Sequence, residues 1–216
     1  MRWIHYGPNA ILIHFAERVN DEAFQRGRAL ATALERHPPP GLVEFVPAFT
    51  SLLLEFDPRI MPDVEASAVE LIPKLKTALT ASLPPAPIKE IPVRYDGEDL
   101  DRVATLHNLT TREVAELHAT VIYKVYMLGF APGFPYLGDL NPRLHTPRLA
   151  TPRTRVRAGS VAIGGEHTGI YSVDTPGGWN IIGHTTTKLF DPTRRESVIF
   201  FLQAGDRVKF VPAKPR

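Results

Sequence analysis

The 216-residue chain contains no cysteine. That absence excludes disulfides, a thiolate nucleophile and cysteine-ligated zinc, and it fits a reducing, cytoplasmic setting. Charge of either sign is not in excess: 25 basic and 23 acidic residues leave a net charge of +2. No general attraction to nucleic acid or to a membrane surface follows from that balance. No apolar run approaches the length of a membrane span, and Met1 to Tyr6 is broken by Gly7-Pro8 before a signal pattern can form. The familiar catalytic signatures are missing too. Gly183-His184-Thr185-Thr186-Thr187-Lys188 lacks the glycine that a phosphate-binding loop places before its lysine. There is no G-x-G-x-x-G, and Ser160 in Ala158-Gly159-Ser160-Val161-Ala162 does not fit the G-x-S-x-G elbow. His145, His167 and His184 stand at no metal-ligand spacing, so no metal is expected.

What the chain has is an uneven distribution of glycine. Gly129 to Thr185, about a quarter of the length, holds ten of the 15 glycines, with Trp179 and the arginines Arg143, Arg148, Arg153, Arg155 and Arg157. Glycine is used where a backbone must turn sharply or come close to something else. Thr146-Pro147-Arg148 recurs as Thr151-Pro152-Arg153, followed by Thr154-Arg155. Proline stiffens such a segment, so its guanidinium groups lose little entropy on meeting a carboxylate or phosphate. Gly164-Gly165-Glu166-His167-Thr168-Gly169 can place N–H groups, a hydroxyl and an imidazole together. Pro176-Gly177-Gly178-Trp179 brings backbone beside an aromatic plane. Each of these also has a plainer reading, as a solvated loop, a hairpin turn and a core tryptophan.

Periodicity predicts two domains. Ala10 to Phe15 reads as a strand, and Asn20 caps a helix carrying Ala23, Gly27, Leu30, Ala31 and Leu34 at helical spacing. Leu42 to Phe49 and Ser51 to Phe56 read as a hairpin, and Val69, Ile72, Leu75 and Leu79 as a second helix kinked or started late by Pro73. The β-α-β-β-α order over residues 1–83 suggests a small α+β domain of ferredoxin-like character. His14 and His37 carry no chemistry in this reading. Residues 84–87 form a proline-rich linker. Residues 88–216 open with a strand from Ile88 to Tyr95 and helices over Asp99 to His107 and Thr111 to His118, the second preceded by the capping box Thr110-x-x-Glu113. With Arg112 as its one arginine or lysine, the second helix is a poor DNA-recognition helix. Strands follow at Thr120 to Leu128, Ser197 to Leu202 and Arg207 to Val211, so the second domain is mainly β, a closed barrel or sandwich.

Taken together, Gly129-Phe130-x-Pro132-Gly133-Phe134-Pro135-Tyr136-Leu137-Gly138, Thr151-Pro152-Arg153-x-Arg155-Val156, Ala158-Gly159-Ser160-Val161, Thr168-Gly169-Ile170-Tyr171 and Pro176-Gly177-Gly178-Trp179-x-x-Ile182-Gly183 resemble the allophanate hydrolase subunit 1 family. Its members include one component of bacterial 5-oxoprolinase and the KipI-type inhibitor of a sporulation histidine kinase. The resemblance implies a cyclophilin-like barrel as the second domain. It also implies a non-autonomous component that, with the A and C subunits of 5-oxoprolinase as partners, opens 5-oxoproline to glutamate at the expense of ATP, with magnesium as its counter-ion. A lactam is a poor electrophile; phosphorylating its oxygen makes that oxygen a leaving group and lets water attack. On this basis Arg153 and Arg155 are expected to hold anionic oxygens and His167 or His184 to handle a proton. Gly164, Gly165, Gly177 and Gly178 would shape the pocket. Gly133, Phe134, Pro135, Tyr136, Thr168 and Trp179 complete the expected substrate and nucleotide site. The family commonly has glutamine where this chain has His167. Docking on a histidine kinase, or a part in urea or allophanate processing, are the alternative implications.

Overall fold

The computed structural model describes residues 1–80, 83–194 and 199–213. The chain forms two compact units, one ending at Pro85 and the next beginning at Ala86.

In the first unit β1 (Arg2–His5), β2 (Ala10–His14), β3 (Leu42–Pro47) and β4 (Ser51–Phe56) form an antiparallel sheet in the order β1-β2-β4-β3. Helices α1 (Asp21–Arg36) and α2 (Val64–Ala78) cover one face of it. Alternation along β2 and β4 sends Ile11, Ile13, Leu52, Leu54 and Phe56 into a core shared with Leu30, Leu34, Ile72 and Leu75. Asn20 caps α1 as the sequence predicts, its side chain accepting from the Ala23 N–H at 2.8 Å. Two expectations change. Strand β1, which no pattern in the sequence announces, supplies an edge of the sheet. Helix α2 begins at Val64, where Asp63 accepts from the Ala66 N–H, and carries Pro73 in its interior. Its buried stripe is Val64, Ala68, Ile72 and Leu75, which leaves Val69 on the solvent side. The carbonyl that Pro73 cannot partner therefore belongs to an exposed residue, where water can take its place.

The second unit is built on a seven-stranded sheet. Its strands are β5 (Ile88–Val93), β6 (Ile122–Leu128), β7 (Pro135–Gly138), β9 (Ser160–Gly164), β10 (His167–Ile170), β12 (Asn180–His184) and β13 (Arg207–Pro212), in the order β12-β9-β10-β7-β6-β13-β5. Strands β13 and β5 run parallel and the other neighbours antiparallel. The sheet curls until its edges meet at one antiparallel bridge, in which Arg94 and His184 exchange backbone hydrogen bonds of 2.9 and 2.8 Å. Gly97 seals this seam: a Cβ there would lie 2.3 Å from the Ile181 carbonyl oxygen. Helices α3 (Leu100–Leu106) and α4 (Thr111–Thr120) pack on the sheet, and α4 carries the full capping box of Thr110 and Glu113. A separate ribbon joins β8 (Arg153–Val156) to β11 (Thr175–Gly177). The strand expected at Ser197 to Leu202 lies partly outside the described residues; within them Phe200 makes only an isolated bridge to Phe190.

The interior of the curled sheet is apolar around one imidazole. His118 is fully buried and stacked on Phe210 at 4.5 Å. The Thr168 hydroxyl donates to the Ala162 carbonyl at 3.0 Å and so accepts from His118 Nε2 at 2.8 Å. That leaves His118 Nδ1 to accept from the Tyr95 hydroxyl at 2.8 Å. Burial holds the imidazole neutral, with its pKa pushed down to about 3.

Candidate functional site

An aromatic cleft of about 300 Å³ opens where the loop after β6, the proline-flanked segment before β8, and β11 with its exit into β12 come together. It is lined by Phe130, Phe134, Tyr136, Tyr171 and Trp179, by Arg148, and by Leu149, Pro152 and Pro176 to Gly178. Phe134 is the hub. Its ring meets those of Tyr136, Tyr171, Trp179 and Phe130 edge-to-face, at centroid separations of 5.2, 5.3, 5.5 and 5.4 Å. A larger groove, of about 770 Å³, lies between α1 and α2 in the first unit. Its walls are mostly aliphatic and proline, and its charged residues Glu70 and Lys74 are exposed, so among the described residues no cluster of polar groups converges inside it.

Glycines let the rings lie against backbone. A Cβ at Gly164 would stand 2.8 Å from three atoms of the Trp179 indole. A Cβ at Gly177 would stand 2.2 Å from the Tyr171 hydroxyl oxygen. Phe130 is the reverse case, a bulky residue held at φ 69° in the left-handed region and 61% exposed at the cleft mouth. That conformation costs about 1–2 kcal/mol for a residue with a Cβ.

The polar groups of the cleft are few. Arg148 sits over the Trp179 ring, its Cζ 5.8 Å from the centroid. The segment is fixed on both sides of it: the Leu149 N–H donates to the Gly178 carbonyl at 2.7 Å and Asn180 Nδ2 to the Pro147 carbonyl at 2.9 Å. Among the described residues no carboxylate lies within ion-pair distance of Arg148. Burial raises the Tyr171 pKa, against the opposing influence of the Trp179 backbone N–H and of Arg153 and Arg148.

Of the expected site residues, Phe134, Tyr136, Gly177, Gly178 and Trp179 line the cleft. Pro135 is buried in β7 and Gly164 lies behind the Trp179 ring. Gly133 turns the chain at φ 73° and packs near Leu189, Phe190 and Phe200. Gly165 makes the β9–β10 turn and donates to the Thr146 carbonyl at 2.7 Å. Thr168 faces the sheet interior, on His118. Arg153 and Arg155, expected to hold ligand anions, both pair with carboxylates of the chain, and Arg153 Nη1 is buried without a hydrogen-bond partner. Arg153 Nη2 donates to both oxygens of Asp99 and Nε reaches Glu98 at 3.1 Å, while Arg155 pairs with Asp174 at 2.5 Å. His184 lies at the seam, with Nδ1 3.0 Å from Asp96. His167 is half-buried outside the lining, and burial lowers its pKa against the pull of Glu166. The cleft adds Arg148, Phe130 and Tyr171 to the expected set. Arg148 stands in the first Thr-Pro-Arg and the two aromatics stand in the family motifs, so the signal is present in the sequence without the geometry that ranks it.

Comparison with known proteins agrees with the relation the motifs suggest. The chain is 41% identical over 217 residues to the 5-oxoprolinase B subunit of Bacillus subtilis, covering 95% of this chain and 90% of that protein. It is 45% identical over 181 residues to the protein of the same name from Escherichia coli O157:H7, covering 81% and 80%. Among solved structures, that of TTHA0988 superposes with a TM-score of 0.86 at 43% identity, over 96% of this chain. This chain spans only 41% of that longer one. Residues 1–200 match the carboxyltransferase domain, subdomain C and D. The chain belongs to that carboxyltransferase subdomain C and D family.

Proposed function

We propose that this chain is the B component of a 5-oxoprolinase complex and works with the A and C subunits as its partners. The observation that carries the reading is near-full-length identity, 41% across 90% of the Bacillus subtilis 5-oxoprolinase B subunit. In the proposed reaction ATP, with magnesium as counter-ion, phosphorylates the lactam oxygen of 5-oxo-L-proline. Water adds to the ring carbon and the amine leaves as the ring opens, giving an acyl phosphate that a second water releases as phosphate and glutamate. Within this chain the aromatic cleft suits a small ring better than a nucleotide, because its volume is at the lower limit of ligand pockets and it offers one cation. ATP is accordingly assigned to a partner, and the isolated chain is expected to be inactive. The same proposal includes a ferredoxin-like first unit, supported by β4 lying between β2 and β3, and a cyclophilin-like barrel, supported by the Arg94–His184 bridge.

The test is ATP hydrolysis dependent on 5-oxo-L-proline by the three co-expressed subunits, with each omitted in turn. The expected result is loss of coupled hydrolysis without this chain. Full coupled hydrolysis by the remaining two would overturn the assignment.

A further inference from the structure

We infer that the aromatic cleft is a receptor for a small ring-bearing carboxylate, the ring lying among Phe134, Tyr136 and Trp179 and the carboxylate meeting Arg148. Three independent observations converge on it. The first is which arginine is left over. The two Thr-Pro-Arg repeats end in Arg148 and Arg153, and among the described residues carboxylates of this chain take up only Arg153 of the two. Arg148 lies over the Trp179 indole with Cζ 5.8 Å from its centroid, between hydrogen-bonded Pro147 and Leu149, and its guanidinium edge is open to an acceptor. A guanidinium fixed in that way meets a carboxylate with little further loss of entropy.

The second observation is the shape. Four edge-to-face rings around Phe134 make a rigid apolar wall, and Gly164 and Gly177 bring that wall flush with the backbone. The third is Phe130. An exposed phenylalanine in the left-handed region is unfavourable twice over, in backbone strain and in hydration. Its placement at the mouth, 5.4 Å from the Phe134 ring and 6.4 Å from that of Tyr171, lets a ligand remove its exposed face from water.

Choosing 5-oxo-L-proline as that carboxylate rests on the functional reading above. The ring rests on that reading too, whereas the carboxylate rests on Arg148 and the aromatic wall alone.

The experiment uses the full chain in a Trp3→Phe background, so that Trp179 alone reports by fluorescence, together with the assembled complex. Probes are 5-oxo-L-proline, its carboxylate-free counterpart pyrrolidin-2-one, and a proline-containing peptide. Expected are a saturable change with 5-oxo-L-proline, affinity for pyrrolidin-2-one lower by about tenfold or more, and a similar loss for Arg148→Gln with 5-oxo-L-proline. In the complex, Arg148→Gln raises KM by about the same factor with kcat nearly kept, and Arg143→Gln, a surface control, changes neither. Equal binding of the two lactams, a response to the peptide alone, or an unchanged KM in the Arg148→Gln complex would each overturn the proposal. If KM is unchanged while omission of the chain still abolishes turnover, the 5-oxoprolinase reading stands and the cleft assignment alone falls.

Discussion

Arg153 Nη2 donates to both carboxylate oxygens of Asp99, at 2.8 and 2.9 Å, across 54 residues of sequence. Asp99 also accepts from the Ile181 N–H at 2.7 Å. One buried carboxylate thus ties the β8 ribbon, with Pro152 and Gly177 of the cleft wall, to the seam where the curled sheet closes. Arg153 positions the cleft wall through Nη2, while its Nη1 is buried without a hydrogen-bond partner.

Removing that arginine leaves Asp99, 7% exposed in its side chain, without its charge partner. Arg153→Ala should therefore destabilise the second unit by about 3 kcal/mol. Arg155→Ala breaks a pair whose members are 74% and 43% exposed, where solvent screens the attraction, and should cost far less. Urea unfolding followed by Trp179 fluorescence, in the Trp3→Phe background, separates the two. Equal losses would contradict the positioning role.

Adjacent glycines in the cleft should respond differently to alanine. At Gly177 the new methyl would meet the Tyr171 hydroxyl at 2.2 Å and ring carbons at 2.7 Å, whereas at Gly178 its nearest neighbours are ordinary contacts at 3.6 Å. Gly177→Ala is expected to cost about 1–3 kcal/mol by forcing the ring aside, and Gly178→Ala to stay within about 1 kcal/mol. Thermal unfolding of both variants checks this, and a tolerated Gly177→Ala would show that the Tyr171 ring is not held as described.

The buried His118 fixes a pH dependence. Its folded-state pKa of about 3 lies below the ordinary value of 6.5, so between those values the unfolded chain takes up a proton that the folded chain refuses. Stability from this group is complete above pH 6.5 and falls as pH drops toward 3, by up to about 1.4 kcal/mol per pH unit. Between pH 6.5 and 5, above the range of most carboxylates, the stability of wild type should fall more steeply than that of His118→Gln. Parallel slopes would mean that the imidazole is protonated in the fold.

Much of this architecture is legible in the sequence where the determining interactions are local. Asn20 and the Thr110–Glu113 box mark helix starts because the bonds they make span three residues. Helix α2 is harder, since Pro73 suggests a boundary while the cap at Asp63 and the Val64–Ala68–Ile72–Leu75 stripe decide the start. Strand β1 is four residues long and only Trp3 of it turns toward the core, too little pattern to recognise. In the cleft, glycine density locates the site, because backbone must come close to Tyr171 and Trp179. The choice among arginines is not legible. Arg148, Arg153 and Arg155 look alike in sequence, and what separates them is Asp99 and Asp174, carboxylates 54 and 19 residues away from the arginines they hold.

The most direct measurement of the whole account is glutamate formation from 5-oxo-L-proline and ATP by the partner subunits as this chain is added back. Formation should be absent without the chain, rise with it and saturate at a fixed ratio to the partners. Glutamate formed at the full rate by the partners alone would contradict the account.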